Sequence, residues 1–307
     1  MRVLITGGAG FIGSHIADAH LARGDEVTVV DSLVSGRQEF VGTAARFYQM
    51  DIRDPGLREV FERTRPQLVN HHAAQVSVSV SVREPLPDAE INVLGTLRVA
   101  ALAVEYGVEQ LIFASTGGAL YGEPKLLPAD EATPILPLSP YGCAKAAAEG
   151  YLGLYRRLHG LPVCCLRYAN VYGPRQDPHG EAGVVAIFAR ALLAGESPTI
   201  FGDGEQTRDF VHADDVTRAN LLAADRRVEG AFNIGTGEGT SVNAIFRVLA
   251  RKIGATVAPR CASPRSGDVR HIRLAADSAR RHLGWMPMVS LEEGLASTAA
   301  WFARQAG

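Results

Sequence analysis

The sequence predicts an α/β fold: a doubly wound parallel sheet with a smaller mixed α/β substrate-binding lobe packed over it. Three observations carry this expectation. Short apolar runs alternate with amphipathic helical stretches through the first half of the chain. The runs are apolar throughout rather than every second residue, as in strands covered on both faces. After about residue 169 the alternation gives way to a polar Gly/Pro-rich segment, short helices and isolated strands.

The strand-like runs are "RVLIT" (2–6), "EVTVVD" (26–31), "QLVNHHA" (67–73), "QLIFAS" (110–115) and "VCCLRY" (163–168). Helical patterns lie between them at 12–23, 54–64, 90–106 and 141–159. Right-handed crossovers then wind the sheet on both faces. "GPRQDPHGEAG" (173–183) opens the second part, and "FNIG" (232–235) reads there as a lone strand. That part is too small and irregular to fold alone. It is expected over the carboxyl edge of the sheet, where such folds bind ligands. The division predicted is 1–168 with 208–234 for the sheet domain, and 169–207 with 235–307 for the lobe.

The chain has 307 residues, 47% apolar and 21% charged, with a net charge of −2. That length supports a well-buried core. The charge balance gives no basic footprint for nucleic acid. Cys143, Cys164, Cys165 and Cys261 have no metal spacing and read as reduced thiols of a cytoplasmic protein. Residue 1 leads straight into a strand, so no secretory leader is expected. No apolar run reaches the ~18 residues that span a bilayer.

"LITGGAGFIGSH" holds Gly7, Gly8, Gly10 and Gly13 between a strand and an amphipathic helix. In that context it is a dinucleotide loop, and the doubly wound sheet becomes a Rossmann sheet. The glycines permit a tight turn and close approach of a pyrophosphate to the helix N-terminus. Asp31 ends the next strand, where a carboxylate binds both hydroxyls of an adenosine ribose and repels a 2′-phosphate. NAD is therefore expected over NADP.

"SPYGCAKAAAE" sets Tyr141 and Lys145 one helical turn apart, behind Pro140 at the helix start. An ammonium near a phenol favours the phenolate and should lower the tyrosine's pKa. Such a tyrosine can remove a proton from an alcohol while a nicotinamide takes the hydride. "ASTGGALYG" (114–122) ends a strand with two hydroxyls, Ser115 and Thr116, ahead of Gly117 and Gly118. Adjacent His71 and His72 lack companions for a metal, and in a strand they would point to opposite faces.

Together these motifs resemble the extended short-chain dehydrogenase/reductase (NAD-dependent epimerase/dehydratase) family, most closely its UDP-glucose (UDP-galactose) 4-epimerase branch. The likeness runs end to end, through "TGGAGFIGSH", "DIRD", "HHAAQVSV", "NVLGT", "SPYGCAK", "LRYANVYGPRQ", "GDGEQTRDFVHADDV", "FNIGTG" and "PRSGDVRH". The resemblance implies a homodimer that inverts C4 of a UDP-sugar through a 4-keto intermediate with tightly held NAD. It implies a pyrophosphate cradle of Gly7, Gly10, Phe11, Ile12 and Gly13, and ribose contacts from Asp31, Ser32, Ser35 and Gly36. Asp51 and Ile52 would meet adenine. Ala73, Ala74, Gln75, Asn92, Ser115 and Tyr168 would line the cofactor with Tyr141 and Lys145. The UDP-sugar would fall to Thr116, Asn170, Phe201, Arg208, Arg265, Asp268 and Ile272. The dimer would form on the helices at 90–106 and 141–159, through apolar residues such as Leu94, Leu97, Ala101, Ala148, Leu152 and Tyr155.

Two counts through the hydroxyl loop disagree by one residue. Counting from "LIF" gives the catalytic hydroxyl to Thr116, and counting back from "YG" gives Gly117, which has none. Thr116 is expected to carry it, with Ser115 second. Val76 stands where one branch of the family has lysine. Ile272 stands at the position that governs N-acetyl hexoses and is intermediate in size, so UDP-GlcNAc/UDP-GalNAc stays open, as does UDP-glucuronate. A 4,6-dehydratase needs an Asp-Glu pair after the threonine, and Gly117, Gly118 and Ala119 follow instead. A non-catalytic NAD sensor would be expected to lack Tyr141.

Overall fold

The computed structural model describes residues 1–179, 183–264 and 269–306. Its strands are β1 (Arg2–Thr6), β2 (Glu26–Asp31), β3 (Arg46–Gln49), β4 (Leu68–His71), β5 (Gln110–Thr116), β6 (Val163–Tyr168), β7 (Asn170–Tyr172), β8 (Thr199–Phe201), β9 (Thr207–Arg208), β10 (Phe210–His212), β11 (Gly230–Ile234), β12 (Thr240–Ser241) and β13 (Arg260–Ala262). Its α-helices are α1 (Phe11–Ala22), α2 (Leu57–Thr64), α3 (Val78–Arg83), α4 (Pro85–Ala89), α5 (Thr96–Glu105), α6 (Gly117–Leu120), α7 (Pro140–His159), α8 (Val184–Leu193), α9 (Ala213–Arg226), α10 (Val242–Ile253), α11 (Asp277–Leu283) and α12 (Leu291–Ala306).

Seven of these strands form one sheet in the order β11-β6-β5-β4-β1-β2-β3. Every neighbouring pair is parallel. The order reverses between β1 and β4, so loops from those strands diverge and leave a crevice at their carboxyl ends. Successive side chains of β1 serve opposite layers. Val3 and Ile5 join the cluster with Ile16 and Ala17 of α1, while Leu4 joins Phe61 of α2 and Val99 of α5. The apolar strands read from the sequence therefore bury both faces.

The remaining described strands pair outside this sheet: β7 with β10, β12 with β9, and β13 with β8. Of these, β7, β8 and β10 share a third core with α8, α10 and α12, in which Tyr172, Ile200 and Phe210 join Phe188, Ile245, Leu249 and Phe302. This is the smaller mixed lobe.

Several elements differ from expectation. "FNIG" lies in β11, which pairs with β6 as an edge strand of the main sheet rather than standing alone. The strand at 67–73 ends at His71. β3 was not foreseen, because "RFYQ" is only partly buried and lacks the apolar run of an interior strand. The helix at 90–106 divides into a π-helical turn, Glu90–Gly95, and α5. Residues 277–285, placed with the lobe, return to the sheet, where Ala279, Leu283 and Trp285 join the β1 cluster.

Candidate active site

The dinucleotide loop is shaped by what its glycines leave out. A Cβ on Gly7 would lie 2.6 Å from the Ala73 nitrogen, and one on Gly13 would lie 2.2 Å from the Gly7 oxygen. Gly7 also has φ +70°, in the left-handed region. Helix α1 follows with Gly10 as its cap, no side-chain capping bond and no acid in its first turn. The open N–H groups and the positive end of the helix dipole suit a pyrophosphate. Asp31 is buried beside the loop, its carboxylate accepting from Ala9 N at 3.0 Å and Leu33 N at 2.8 Å. Gly36 crowds that carboxylate so closely that a Cβ would stand 2.7 Å from Oδ1. These residues fit a dinucleotide, with Ser32 and Ser35 on the loop beyond Asp31. Ile52 is buried, and Asp51 is held below its usual pKa mainly by hydrogen bonds from the Arg53 guanidinium.

His71 is a bridge in the core. Ala73 N donates to Thr6 Oγ1, which lies 2.6 Å from His71 Nδ1. His71 Nε2 lies 3.0 Å from Thr96 Oγ1, which donates to the Asn92 carbonyl. These donors require the neutral ring to carry its proton on Nε2, and burial lowers its pKa well below the ordinary value. His72 stacks on Tyr168 and meets its hydroxyl at 3.1 Å. Among the described residues no group of three or more His, Cys, Asp or Glu could hold a metal ion.

The candidate catalytic corner forms where β5 ends against α7. Ser139 caps α7 by accepting from Gly142 N at 3.1 Å, with Pro140 in the first turn. A Cβ on Gly142 would stand 2.6 Å from Ala119 O, so the first turn of α7 lies directly on the α6 segment. Ser81 Oγ accepts from Tyr141 N at 3.1 Å. Lys145, 3% exposed, donates from Nζ to Ala114 O at 2.9 Å and sits 4.6 Å above the Phe113 ring. Burial lowers its pKa to about 8, against the opposing pull of Asp88 and Glu149.

Ser115 and Thr116 occupy alternate faces of β5. Ser115 is 3% exposed and donates to Glu149 Oε1 at 2.5 Å. Glu149 in turn takes the Arg167 guanidinium, at 2.6 Å from Nη2. Thr116 is part-exposed, 3.8 Å from the position a Cβ on Gly118 would take, and Asn170 Oδ1 is 3.6 Å from the same point. Gly117 has no room for a side chain, since its Cβ would lie 2.3 Å from Leu274 Cδ1. The glycine pair thus serves two purposes: Gly117 admits Leu274, and Gly118 keeps the space between Thr116 and Asn170 open.

One expectation is reversed. Tyr141 has its pKa raised, not lowered, first by burial and then by the negative charge of Asp88. Lys145 spends its visible hydrogen bond on Ala114, and its charge does not overcome those two effects. Other expected contacts are engaged elsewhere. Asn92 accepts from Gln75 N at 3.0 Å and donates to Asp88 Oδ1 at 2.9 Å. Gln75 Nε2 donates to the same Asp88 oxygen at 2.8 Å. The Tyr168 hydroxyl, 4% exposed, is held by Asn220 and His72. Gln75, Asn92 and Asp88 thus hold one another in place after β4.

On the lobe side, Phe201, Gly202, Asp203, Gln206, Val269 and Arg270 line a cavity of ≈ 550 Å³. Arg208 Nη1 donates to Thr207 O at 3.0 Å. Ile272 is 2% exposed and packs in the sheet-side core, not on an open wall of that cavity. Arg265 and Asp268 lie outside the described residues. Asp88, Ser81, Glu149 and Leu274 were missed from the sequence. None stands in a dinucleotide or Tyr-Lys pattern, and only the packing brings them to the site.

Residues 3–235 match the NAD dependent epimerase/dehydratase family. The chain is 46% identical over 308 residues to a UDP-glucose 4-epimerase of Mycolicibacterium smegmatis, covering 98% of each chain. It superposes with a TM-score of 0.97 and 50% identity on a UDP-glucose 4-epimerase from Thermotoga maritima solved with UDP-glucose, covering 100% of both chains. A Thermus thermophilus UDP-glucose 4-epimerase in complex with NAD gives a TM-score of 0.94 at 47% identity, covering 98% of this chain and 99% of that one.

Proposed function

Because the chain belongs to the NAD dependent epimerase/dehydratase family, we propose that it interconverts UDP-glucose and UDP-galactose by inversion at C4. One observation carries the reading: Tyr141 and Lys145 stand one turn apart on α7 beside the end of β5, with Thr116 and no carboxylate after it. NAD, when bound, accepts the hydride from C4 and later returns it. The rest falls to the chain. Tyr141 takes the proton of the 4-hydroxyl through its phenol oxygen, and Thr116 hydrogen-bonds the same sugar oxygen. Lys145 supplies the positive charge that favours the phenolate. The 4-keto sugar turns over in the site, and Tyr141 returns the proton as the opposite face is reduced.

Asn170, Arg208 and the Phe201 cavity are the proposed holders of the uridine diphosphate, joined by Arg265 and Asp268. Asp31 is proposed to favour NAD over NADP. A 2′-phosphate bound beside that carboxylate would meet a like charge. With Gly117, Gly118 and Ala119 after Thr116, the acid–base pair needed to eliminate water is absent from that loop, which disfavours a 4,6-dehydratase.

A homodimer is proposed on the α5–α7 side. Ala148 and Leu152, first considered for this surface, are fully buried against the sheet. Leu94, Tyr151, Leu154 and Leu158 are 51%, 46%, 40% and 72% exposed, leaving an apolar surface to cover. Sedimentation at monomer mass would overturn the dimer. No helix among the described residues is long and apolar enough to cross a membrane. The test of the function is product analysis with UDP-glucose, UDP-GlcNAc and UDP-glucuronate. Formation of UDP-galactose as the preferred product supports it, and preference for another sugar redirects it.

A further inference from the structure

Asp88 is a buried carboxylate, 1% exposed, on the short helix α4. Both of its side-chain hydrogen bonds reach one oxygen: Gln75 Nε2 at 2.8 Å and Asn92 Nδ2 at 2.9 Å donate to Oδ1. Oδ2 is buried without a partner. Asn92 also takes Gln75 N and donates to Gln75 O at 2.9 Å, so the three side chains form a clasp on the segment after β4. That segment includes Ala73, whose nitrogen closes on Gly7 of the dinucleotide loop.

A buried charge normally has a counter-charge beside it. On α7, Glu149 is paired with Arg167 and acts on Lys145 but not on Tyr141. On β6, burial keeps the Cys165 thiol protonated. His71 on β4 and His72 after it are held neutral, chiefly by burial with Lys145 adding to it. Asp88, on α4 packed against α7, is the negative group among the described residues that acts on both members of the pair. Its field opposes ionisation of Tyr141 and supports the charge of Lys145.

We infer that Asp88 is a positioning residue with two separable roles: its Oδ1 bonds hold the cofactor-lining segment against the dinucleotide loop, and its charge sets the protonation balance of Tyr141 and Lys145. This inference rests on the proposed roles of Tyr141 and Lys145. Because both bonds share one oxygen, Asp88→Asn can keep them through its carbonyl and remove only the charge. Asp88→Ala removes both.

The experiment compares the pH dependence of UDP-glucose turnover and the retention of NAD through gel filtration. Asp88→Asn removes a charge that raises the pKa of both groups, so its whole profile moves to lower pH by at least about half a unit, with NAD retained. Asp88→Ala loses NAD, binding it at least about tenfold more weakly. An Asp88→Asn profile superimposable on the native one, or full NAD retention by Asp88→Ala, overturns the inference. Should Asp88→Asn turn over too slowly, the titration of Lys145 near pH 8, followed by NMR of lysine-labelled protein and assigned by its absence from Lys145→Met, reads the same shift. Tyr141→Phe in the same series keeps the two readings apart: native turnover there sinks the proposed mechanism, whereas an unmoved Asp88→Asn profile beside an inactive Tyr141→Phe sinks only the role of Asp88.

Discussion

The dinucleotide loop and the catalytic corner lie on the same edge of one sheet, yet they are made differently. The loop is made of backbone. Gly7 and Gly13 matter for atoms they lack, and the helix that follows offers its own N–H groups. The corner is made of side chains whose behaviour is set by neighbours from α4, β5, β6 and α7. Lys145 lies within one turn of Tyr141, and still burial and Asp88 decide the tyrosine's pKa. A site built from backbone carries its chemistry in a local motif. A site built from charges carries it in the packing.

The largest effect should come at the corner. Tyr141→Phe removes the proposed base and should lower kcat by roughly 10²–10⁴-fold, the usual range for general acid–base groups, while NAD stays bound. Loss of NAD instead would mean that the corner also supports the loop. Gly13→Ala tests the loop from the other side. Its Cβ would meet Gly7 O at 2.2 Å, so the variant should elute without NAD and lose about 1–3 kcal/mol of stability by denaturant titration. Normal NAD content would break the account of a backbone-shaped cradle.

The two hydroxyls at the end of β5 sharpen the contrast within the corner. Thr116→Ala should cut turnover by about 10²-fold with little change in stability. Ser115→Ala removes a hydrogen bond to a charged carboxylate and should cost about 1.5–3 kcal/mol of stability, with the smaller loss of rate. The reverse order would return the catalytic hydroxyl to Ser115.

Lys145 gives a pH test. Its pKa is lowered to about 8, so it carries charge below that value and loses it above. The kcat/KM for UDP-glucose should therefore fall as pH rises through about 8. A profile flat to about pH 10, the range of an ordinary lysine, would mean that the ammonium is not needed or not depressed. The smallest effect should be at Asp31. Asp31→Asn should improve NADP binding relative to NAD by about tenfold, since it removes one charge from the path of the 2′-phosphate. An unchanged ratio would remove Asp31 as the discriminator.

These differences explain what was legible in the sequence. The β1–α1 loop and the five apolar strands could be read because local rules fix them: glycine where backbone closes, continuous apolar runs where both faces are covered. β3 was not read because an edge strand needs no such run. β11 was assigned to the sheet domain, but its partner was not named, since β6 lies more than sixty residues earlier and nothing local points to it. Tyr141, Lys145 and Thr116 were named from spacing and resemblance. The pKa of Tyr141 is raised rather than lowered because burial comes first and Asp88, from another helix, adds to it, and neither is written in the Tyr-Lys spacing. Leu274 explains Gly117 only once the lobe is folded against β5.

Inversion at C4 by hydride removal and return can be followed with UDP-glucose and the NAD-loaded protein in deuterated water, by proton NMR. The account predicts UDP-galactose with its original hydrogen still on C4, and no such product from Tyr141→Phe at the native rate. Deuterium at C4, or a 4-keto-6-deoxy product, would contradict it.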